Sequence, residues 1–327
     1  MPPPHEIRLG TRGSRLALWQ ANAVAARITD AGGPPCRIVV IRTSGDRLHE
    51  APLSEVGGKR LFVKEIEDAL LRGEIDLAVH SSKDMPVQLP PGLAIAGVLP
   101  RDDPRDAIVL PVNTGVVSGF SQTVSDIEEL VARLGQSPSI GTGSVRRVAQ
   151  LTRLFPGARF APIRGNLETR LRKLDAGEHD ALVLAAAGLE RLGFGSRISL
   201  LVSVDACIPA PGQGIVAIEI REEDEAMRRM VAAIDDPLAH AALAAERAVV
   251  EALGGGCQTP IGALASPAGA DDVEVIAAVV ALDGSRVVRA CDRGSWIDAP
   301  AVGARVGAQL MEKGAHEILA EARSAHG

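Results

Sequence analysis

Strand-like and helix-like segments alternate through the first two thirds of this 327-residue chain, a pattern that excludes all-α and all-β folds. Ile7 to Gly10 reads as a short apolar strand. Thr11-Arg12-Gly13-Ser14 leads from it into a helix through about Ile28, with Ser14 as the N-cap and Gly32-Gly33-Pro34-Pro35 as the stop. Ile38 to Arg42 is the next strand, and the loop Thr43-Ser44-Gly45-Asp46 follows. A helix over Phe62 to Leu71 precedes a buried strand, Ile75 to His80, which ends in Ser81-Ser82-Lys83-Asp84.

The pattern also echoes itself. LGTRGS from Leu9 resembles IGTGS from Ile140, and LRGEIDLAV from Leu71 resembles LDAGEHDALV from Leu174. Two lobes of similar topology would explain the echo, although strand–turn–helix punctuation draws on Gly, Ser and Asp in any protein. From Pro237 onward the character changes. Pro237 to Leu253 is an alanine-rich helix closed by Gly254-Gly255-Gly256, and strands follow at Val273 to Leu282 and Arg286 to Ala290 around an Asp283-Gly284 turn. Two helical segments finish the chain. This part reads as a separate, smaller α+β domain.

Charge is as uneven as the fold pattern. Between Ile140 and Lys173 eight basic residues (Arg146, Arg147, Arg153, Arg159, Arg164, Arg170, Arg172, Lys173) face one acid, Glu168, in a protein of formal net charge −6. Concentrated arginine holds small polyanions, because the guanidinium fork pairs bidentately with carboxylate or phosphate; a solvated helix face would look similar. Nucleic acid is disfavoured as the polyanion. Aromatics are only 2% of residues, tyrosine is absent, and the overall charge has the wrong sign. No apolar run approaches the roughly eighteen residues a membrane span needs, and the start lacks the pattern of a secretory signal. Cys36, Cys207, Cys257 and Cys291 lie far apart, without CxxC or a Cys/His cluster. A reduced, cytoplasmic protein with no metal is the expectation.

Three places carry chemistry. Helix N-termini at Thr11–Ser14 and Thr142–Ser144 expose unpaired N–H groups, and each turn has basic company in Arg12 or Arg146-Arg147. Ile163-Arg164-Gly165-Asn166 is a third such turn, with Asn166 as cap and Arg170 about one turn into the helix. Ordinary capping accounts for part of this pattern. The arginines add a fit to a ligand with several negative charges. Lys83-Asp84 sits directly after an apolar strand, where clefts of open α/β sheets lie. A carboxylate there can stabilise a cation and exchange protons with it; a loop ion pair would give the same sequence. Cys257 follows three glycines and so sits on an exposed loop, whereas the other cysteines lie in or near apolar strand-like runs and read as inert.

Two signatures fail. Gly58-Lys59 is followed by Arg60, so it is no Walker A loop. Gly212-Gln213-Gly214 opens a formal GxGxxA match, but it follows Pro209-Ala210-Pro211 rather than a strand, which argues against a dinucleotide site.

Taken together, these segments resemble the porphobilinogen deaminase (hydroxymethylbilane synthase) family. The resemblance runs almost the full chain: TRGSRLALWQ from Thr11 to Gln20, GGKRLFVKE from Gly57 to Glu65, His80-Ser81-Ser82-Lys83-Asp84, Asp103-Pro104-Arg105-Asp106, GTGSVRR from Gly141 to Arg147, Ile163–Asn166 and Gly255-Gly256-Cys257-Gln258. The family condenses four porphobilinogen molecules head to tail into the linear tetrapyrrole hydroxymethylbilane, releasing ammonia each time.

The resemblance implies two α/β lobes like those of type-2 periplasmic binding proteins plus a smaller C-terminal α+β domain. The expected boundaries are 1–103 with 212–234, 104–211, and 235–327. It implies a dipyrromethane cofactor bound by thioether to Cys257 and contacted by Ser81, Lys83, Asp84, Thr142, Ser144, Arg146, Arg147 and Arg170. Asp84 matches the catalytic aspartate. Arg12, Ser14, Gln20, Lys59, Arg164, Arg170 and Arg191 match substrate-binding positions. The implied enzyme is a cytoplasmic monomer that passes its product to uroporphyrinogen III synthase. Two departures stand out: Glu55 replaces a frequent lysine, and Val112 to Ser139 looks like a surface insertion.

Two rival readings remain at this level. A non-catalytic binder of small polyanions explains the arginines and the duplicated lobes, but not a third domain presenting Cys257. A cysteine-dependent acyl transferase would need a histidine base, for which His80 is the nearest candidate.

Overall fold

The computed structural model of the protein describes residues 6–44, 63–112, 126–255 and 259–325. Among them are three sheets. The first has strand order β2-β1-β3-β10-β4, built from β1 (Ile7–Thr11), β2 (Cys36–Val40), β3 (Leu77–Ser81), β4 (Leu93–Val98) and β10 (Val216–Arg221). The second has order β7-β6-β8-β5-β9, from β5 (Asp106–Val109), β6 (Ser139–Gly141), β7 (Arg159–Ala161), β8 (Ala181–Ala185) and β9 (Leu200–Leu201). The third is the meander β11 (Ile261–Pro267), β12 (Asp272–Val280) and β13 (Val287–Ser295).

The first two sheets share one plan. In each, two parallel neighbours flank a central strand, β1 or β6. In each, the strand entered from a lobe crossing runs antiparallel to its neighbours. The chain crosses outward between β4 and β5 and returns between β9 and β10. The echo in the sequence is therefore a repeat of topology, and the two units are α/β lobes built on one plan.

The helices follow from caps and apolar spacing. α1 (Arg15–Asp30) starts at Ser14 and buries Gln20, Ala21, Val24 and Ile28 against the first sheet. α2 (Lys64–Leu71) packs Ile66 and Leu70 against Ile75. In the second lobe, α3 (Ile127–Leu134) lies within the segment expected to be a surface insertion, yet it puts Leu130 into the core with Ile140 and Phe155. That segment is thus partly structural, because one face of α3 has a buried partner. α4 (Val145–Leu151), α5 (Leu167–Asp175) and α6 (Ala186–Arg191) complete this lobe. Asn166 caps α5 as expected from the sequence, and Ser144 caps α4 within the Thr142–Ser144 turn read as a helix N-terminus.

α7 (Glu225–Ala232) covers the first sheet. In the C-terminal domain, α8 (Pro237–Ala252), α9 (Ala299–Glu312) and α10 (Ala315–Ser324) lie on the meander around Val249, Val275, Val306 and Leu310. Cys291, expected in an apolar strand run, is exposed because it alternates with buried Ala290 along β13 and so points to the other face of the sheet.

One buried residue joins the C-terminal domain to the waist between the lobes. Glu246 of α8 is fully buried. It accepts hydrogen bonds from Arg101 at 2.5 Å on the outward crossing, from the Gly212 N–H at 2.6 Å on the return crossing, and from the Ala265 N–H at 2.8 Å in β11. A buried charge persists only when paired and hydrogen-bonded, and this one is both.

Candidate active site

The site begins where β3 ends. Leu77 to His80 are buried in the sheet, so the chain emerges at Ser81 and turns through the short 3-10 segment Ser82–Asp84. Asp84, Ser81, His80, Gln20, Ser14 and Arg12 line a cleft of about 70 Å³. Gln20, buried on α1, donates to Ser81 Oγ at 2.8 Å, and the hydroxyl donates back to Gln20 Oε1 at 3.1 Å. Ser14 Oγ accepts the Ala17 N–H at 3.3 Å. Asp84 accepts no hydrogen bond and makes no ion pair among the described residues, so its carboxylate is uncommitted to this wall.

A second group of polar residues comes from the second lobe. Thr142 is buried after β6, and its Oγ1 accepts the Ser144 N–H at 3.3 Å. Arg146 and Arg147 follow on α4, and both grip one carboxylate. Arg146 donates to Asp106 Oδ2 at 2.8 Å and to the Ile208 carbonyl at 2.7 Å. Arg147 donates to Asp106 Oδ1 from Nε and a terminal nitrogen at 3.0 and 2.8 Å, and to the Val183 carbonyl at 2.8 Å. Burial pushes the Asp106 carboxyl up, but Arg146 and Arg147 outweigh it and hold the group well below the usual carboxylate range. The Cys207 thiol lies against the same cluster and is pushed up to about 12, first by burial, so it is inert at neutral pH.

Arg170 differs from this pair. Its Nε donates to the Gly165 carbonyl at 2.9 Å, and no hydrogen bond of its terminal nitrogens is found among the described residues. Burial, then repulsion from Arg147, lowers its pKa, while Asp84 acts in the opposite sense. Lys83 shows the same surroundings from the other lobe. Its ammonium is pushed down to about 7, first by burial and next by Arg147, with Asp84 and Asp106 opposing. Lys83, Asp84, Arg147 and Arg170 therefore share one electrostatic neighbourhood at the lobe junction, with cations in excess.

The remaining expected residues are placed as follows. Arg164 is half-buried on the loop before α5. Arg191 is committed internally: it donates to Asp102 at 2.7 Å and to the Gly214 carbonyl at 2.7 Å, and its guanidinium lies 5.4 Å from the Trp19 ring centre. His80 pairs its Nε2 with Glu219 Oε2 at 3.0 Å, both side chains being buried, so it is held by a carboxylate within the first sheet. Glu55, Lys59 and Cys257 lie outside the described residues. Arg15 of α1 meets Glu168 of α5 at 2.6 Å, linking the two lobes through an exposed guanidinium. No group of three or more potential metal ligands occurs among the described residues.

Asp106 and Gln213 are central to this junction but received no role from the sequence. Two adjacent arginines on a short helix between apolar segments were a signal that a buried acid must exist. The motif ending at Asp106 contained it.

The comparisons with known proteins agree over nearly the full length. Residues 7–229 match the family model for the porphobilinogen deaminase dipyromethane cofactor binding domain, and residues 241–312 match the model for the porphobilinogen deaminase C-terminal domain. A porphobilinogen deaminase of Geobacter metallireducens is 42% identical over 97% of this chain and 95% of its own length. One of Syntrophobacter fumaroxidans is 44% identical over 96% of this chain and 97% of its own. A loose likeness to the periplasmic VFT2 domain of Bordetella pertussis BvgS, with TM-score 0.40 and 15% identity over 70% of this chain and 86% of that one, is too distant to bear on function. Strand order, the cation-rich junction at Lys83 and Asp84, and the full-length matches lead to one assignment: the chain belongs to the porphobilinogen deaminase family.

Proposed function

We propose that this protein is a hydroxymethylbilane synthase, joining four porphobilinogen molecules head to tail with loss of ammonia at each addition, in tetrapyrrole biosynthesis. The observation that carries the reading is Asp84 with an uncommitted carboxylate on the turn after β3, beside Lys83 and electrostatically coupled to Arg170 from the opposite lobe. Each substrate brings an acetate and a propionate, so the growing chain needs many cations and few anions along its path. The junction meets that need.

The residues also suit the dipyrromethane cofactor. Lys83 is pushed down to about 7 because it is buried near Arg147, and bound carboxylates would relieve that condition. When bound, the cofactor supplies the free pyrrole α-carbon at which growth starts. Cys257 would hold it by a thioether. Lys83 and Arg170 would pair with its carboxylates, and Ser81, Thr142 and Ser144 would offer hydroxyl or N–H donors. Arg146 and Arg147, held on Asp106, contribute positive potential from behind.

Arg12, Arg164, Arg170 and Lys59 receive the acid side arms of incoming substrate, with Ser14 and Gln20 shaping the pocket wall. Arg191 acts at one remove, fixing the crossings through Asp102 and Gly214. Asp84 stabilises the azafulvenium cation left when ammonia departs and exchanges protons with it. A fixed carboxylate in a sheltered cleft is worth far more to such a cation than one in water.

The enzyme is proposed to act as a cytoplasmic monomer whose product passes to uroporphyrinogen III synthase. No helix among the described residues is long and apolar enough to cross a membrane.

Incubating purified protein with porphobilinogen and measuring ammonia tests the reading directly. Ammonia release with formation of hydroxymethylbilane is expected. Binding without ammonia would instead mark a polyanion-binding protein and end the proposal.

A further inference from the structure

Gln213 lies on the return crossing, in the tripeptide that formally imitated a dinucleotide fingerprint. The structure gives the tripeptide a different use. Gly212 and Gly214 both have positive φ, +72° and +87°. A Cβ at the first would fall 2.4 Å from Ser82 Oγ, and at the second 2.4 Å from the Asp102 carbonyl. The crossing is therefore pressed between the turn that carries Lys83 and the outward crossing, and only glycine fits on either side of Gln213. The Ser82 N–H adds a bond to the Ile215 carbonyl at 3.0 Å.

Held in this way, the Gln213 side chain spans both lobes. Its Nε2 donates to the Pro104 carbonyl at 2.6 Å and to Asp106 Oδ1 at 2.9 Å. Both partners are pure acceptors, which fixes the amide orientation and turns Oε1 toward Lys83, whose Nζ donates to it at 3.4 Å. The side chain is almost wholly buried at 1% exposure. Asp106 is also the carboxylate that holds Arg146 and Arg147.

We propose that Gln213 is a positioning residue for the reaction: from the crossing it holds the Lys83 ammonium beside Asp84 and ties it to the Asp106 carboxylate that carries the two arginines. The inference rests on the hydroxymethylbilane synthase reading for its consequence in turnover. The Lys83–Gln213 link itself does not depend on that reading. Burial is the chief force that lowers the Lys83 ammonium, so an acceptor held within reach of Nζ helps to keep it charged.

Two variants of the complete holoenzyme test this, with the pH midpoint for amine labelling of Lys83 read by peptide mass spectrometry. Gln213→Met keeps the side-chain length and removes the acceptor. The midpoint is expected to fall by about half a unit or more, the size of one hydrogen bond to an ammonium, and kcat by about tenfold with KM changed less. Gln213→Glu keeps an oxygen facing Lys83 and adds an ionisable group, so the midpoint is expected to rise. An unchanged midpoint in the variants that fold would overturn the proposal, even if turnover fell, because a purely structural role in the crossing would cost stability alone. A native protein that released no ammonia would sink the functional reading and leave the labelling result standing.

Discussion

Arg147 binds Asp106 through two nitrogens, at 3.0 and 2.8 Å, inside a junction where the carboxylate has no exposure. Arg146 holds the other oxygen of the same group. Asp106→Asn keeps the shape and removes the charge, leaving two guanidinium groups buried without their counter-ion. A loss of about 3–5 kcal/mol is expected in urea unfolding, the usual result of removing one partner of a buried pair. A loss below about 1 kcal/mol would show that the pairs contribute little.

The same carboxyl sets a pH dependence. Its folded value lies well below its unfolded one, so on acidification the unfolded chain takes up the proton first. The stability from Asp106 is present above about pH 4 and is lost as pH falls. The slope should be shallower in Asp106→Asn, as followed by unfolding curves from neutral to acid pH.

Asp84→Asn should keep the fold and the attached cofactor while turnover drops by about 100-fold or more. Ammonia release and intact mass on the same sample check both halves. Near-native turnover would remove Asp84 from the chemistry.

The intact protein should weigh more than its sequence by one dipyrromethane, and it should turn pink with Ehrlich's reagent. Cys257→Ser should lose both properties. An active preparation with the bare chain mass would contradict covalent attachment.

Lys83 offers a test of the cation excess. In Cys257→Ser the ammonium should titrate near 7, because burial depresses it, and in the holoenzyme it should titrate higher, because nearby carboxylates favour the charged form. In the cofactor-free protein the depressed ammonium opposes folding below pH 7, and that penalty fades as pH rises from about 7 toward 10.5. Equal labelling midpoints for the two proteins would place Lys83 away from the cofactor.

Local chemistry was legible in the sequence. Ser14, Ser144 and Asn166 are the caps that their residue types announce, since a cap needs only the next turn of chain. The repeated strand–turn–helix segments were read as two lobes, and the matching sheet orders bear this out. Boundaries slipped where tertiary pairing decides them. The strand placed at Ile38 to Arg42 runs from Cys36 to Val40, because its parallel register with β1 begins at Ile7 opposite Cys36.

What escaped was long-range. The arginines at 146 and 147 read as ligands for an outside anion, and nothing near them in the chain shows that both also bind an internal acid some forty residues away. Gln213 looked like part of a failed motif, because nothing adjacent in the chain reveals that Lys83 and Asp106 meet there. A one-dimensional pattern shows which groups are costly to bury, not which partner settles the cost.

Glu246 gives the C-terminal domain a part beyond presenting a cysteine. Cut away after the return strand, the paired lobes would keep the Arg101 bond to the Gln213 carbonyl but lose its carboxylate partner, and the Gly212 amide would be orphaned. Such a fragment is not a free-standing receptor awaiting an added tail. The tail is the keystone that closes the arch.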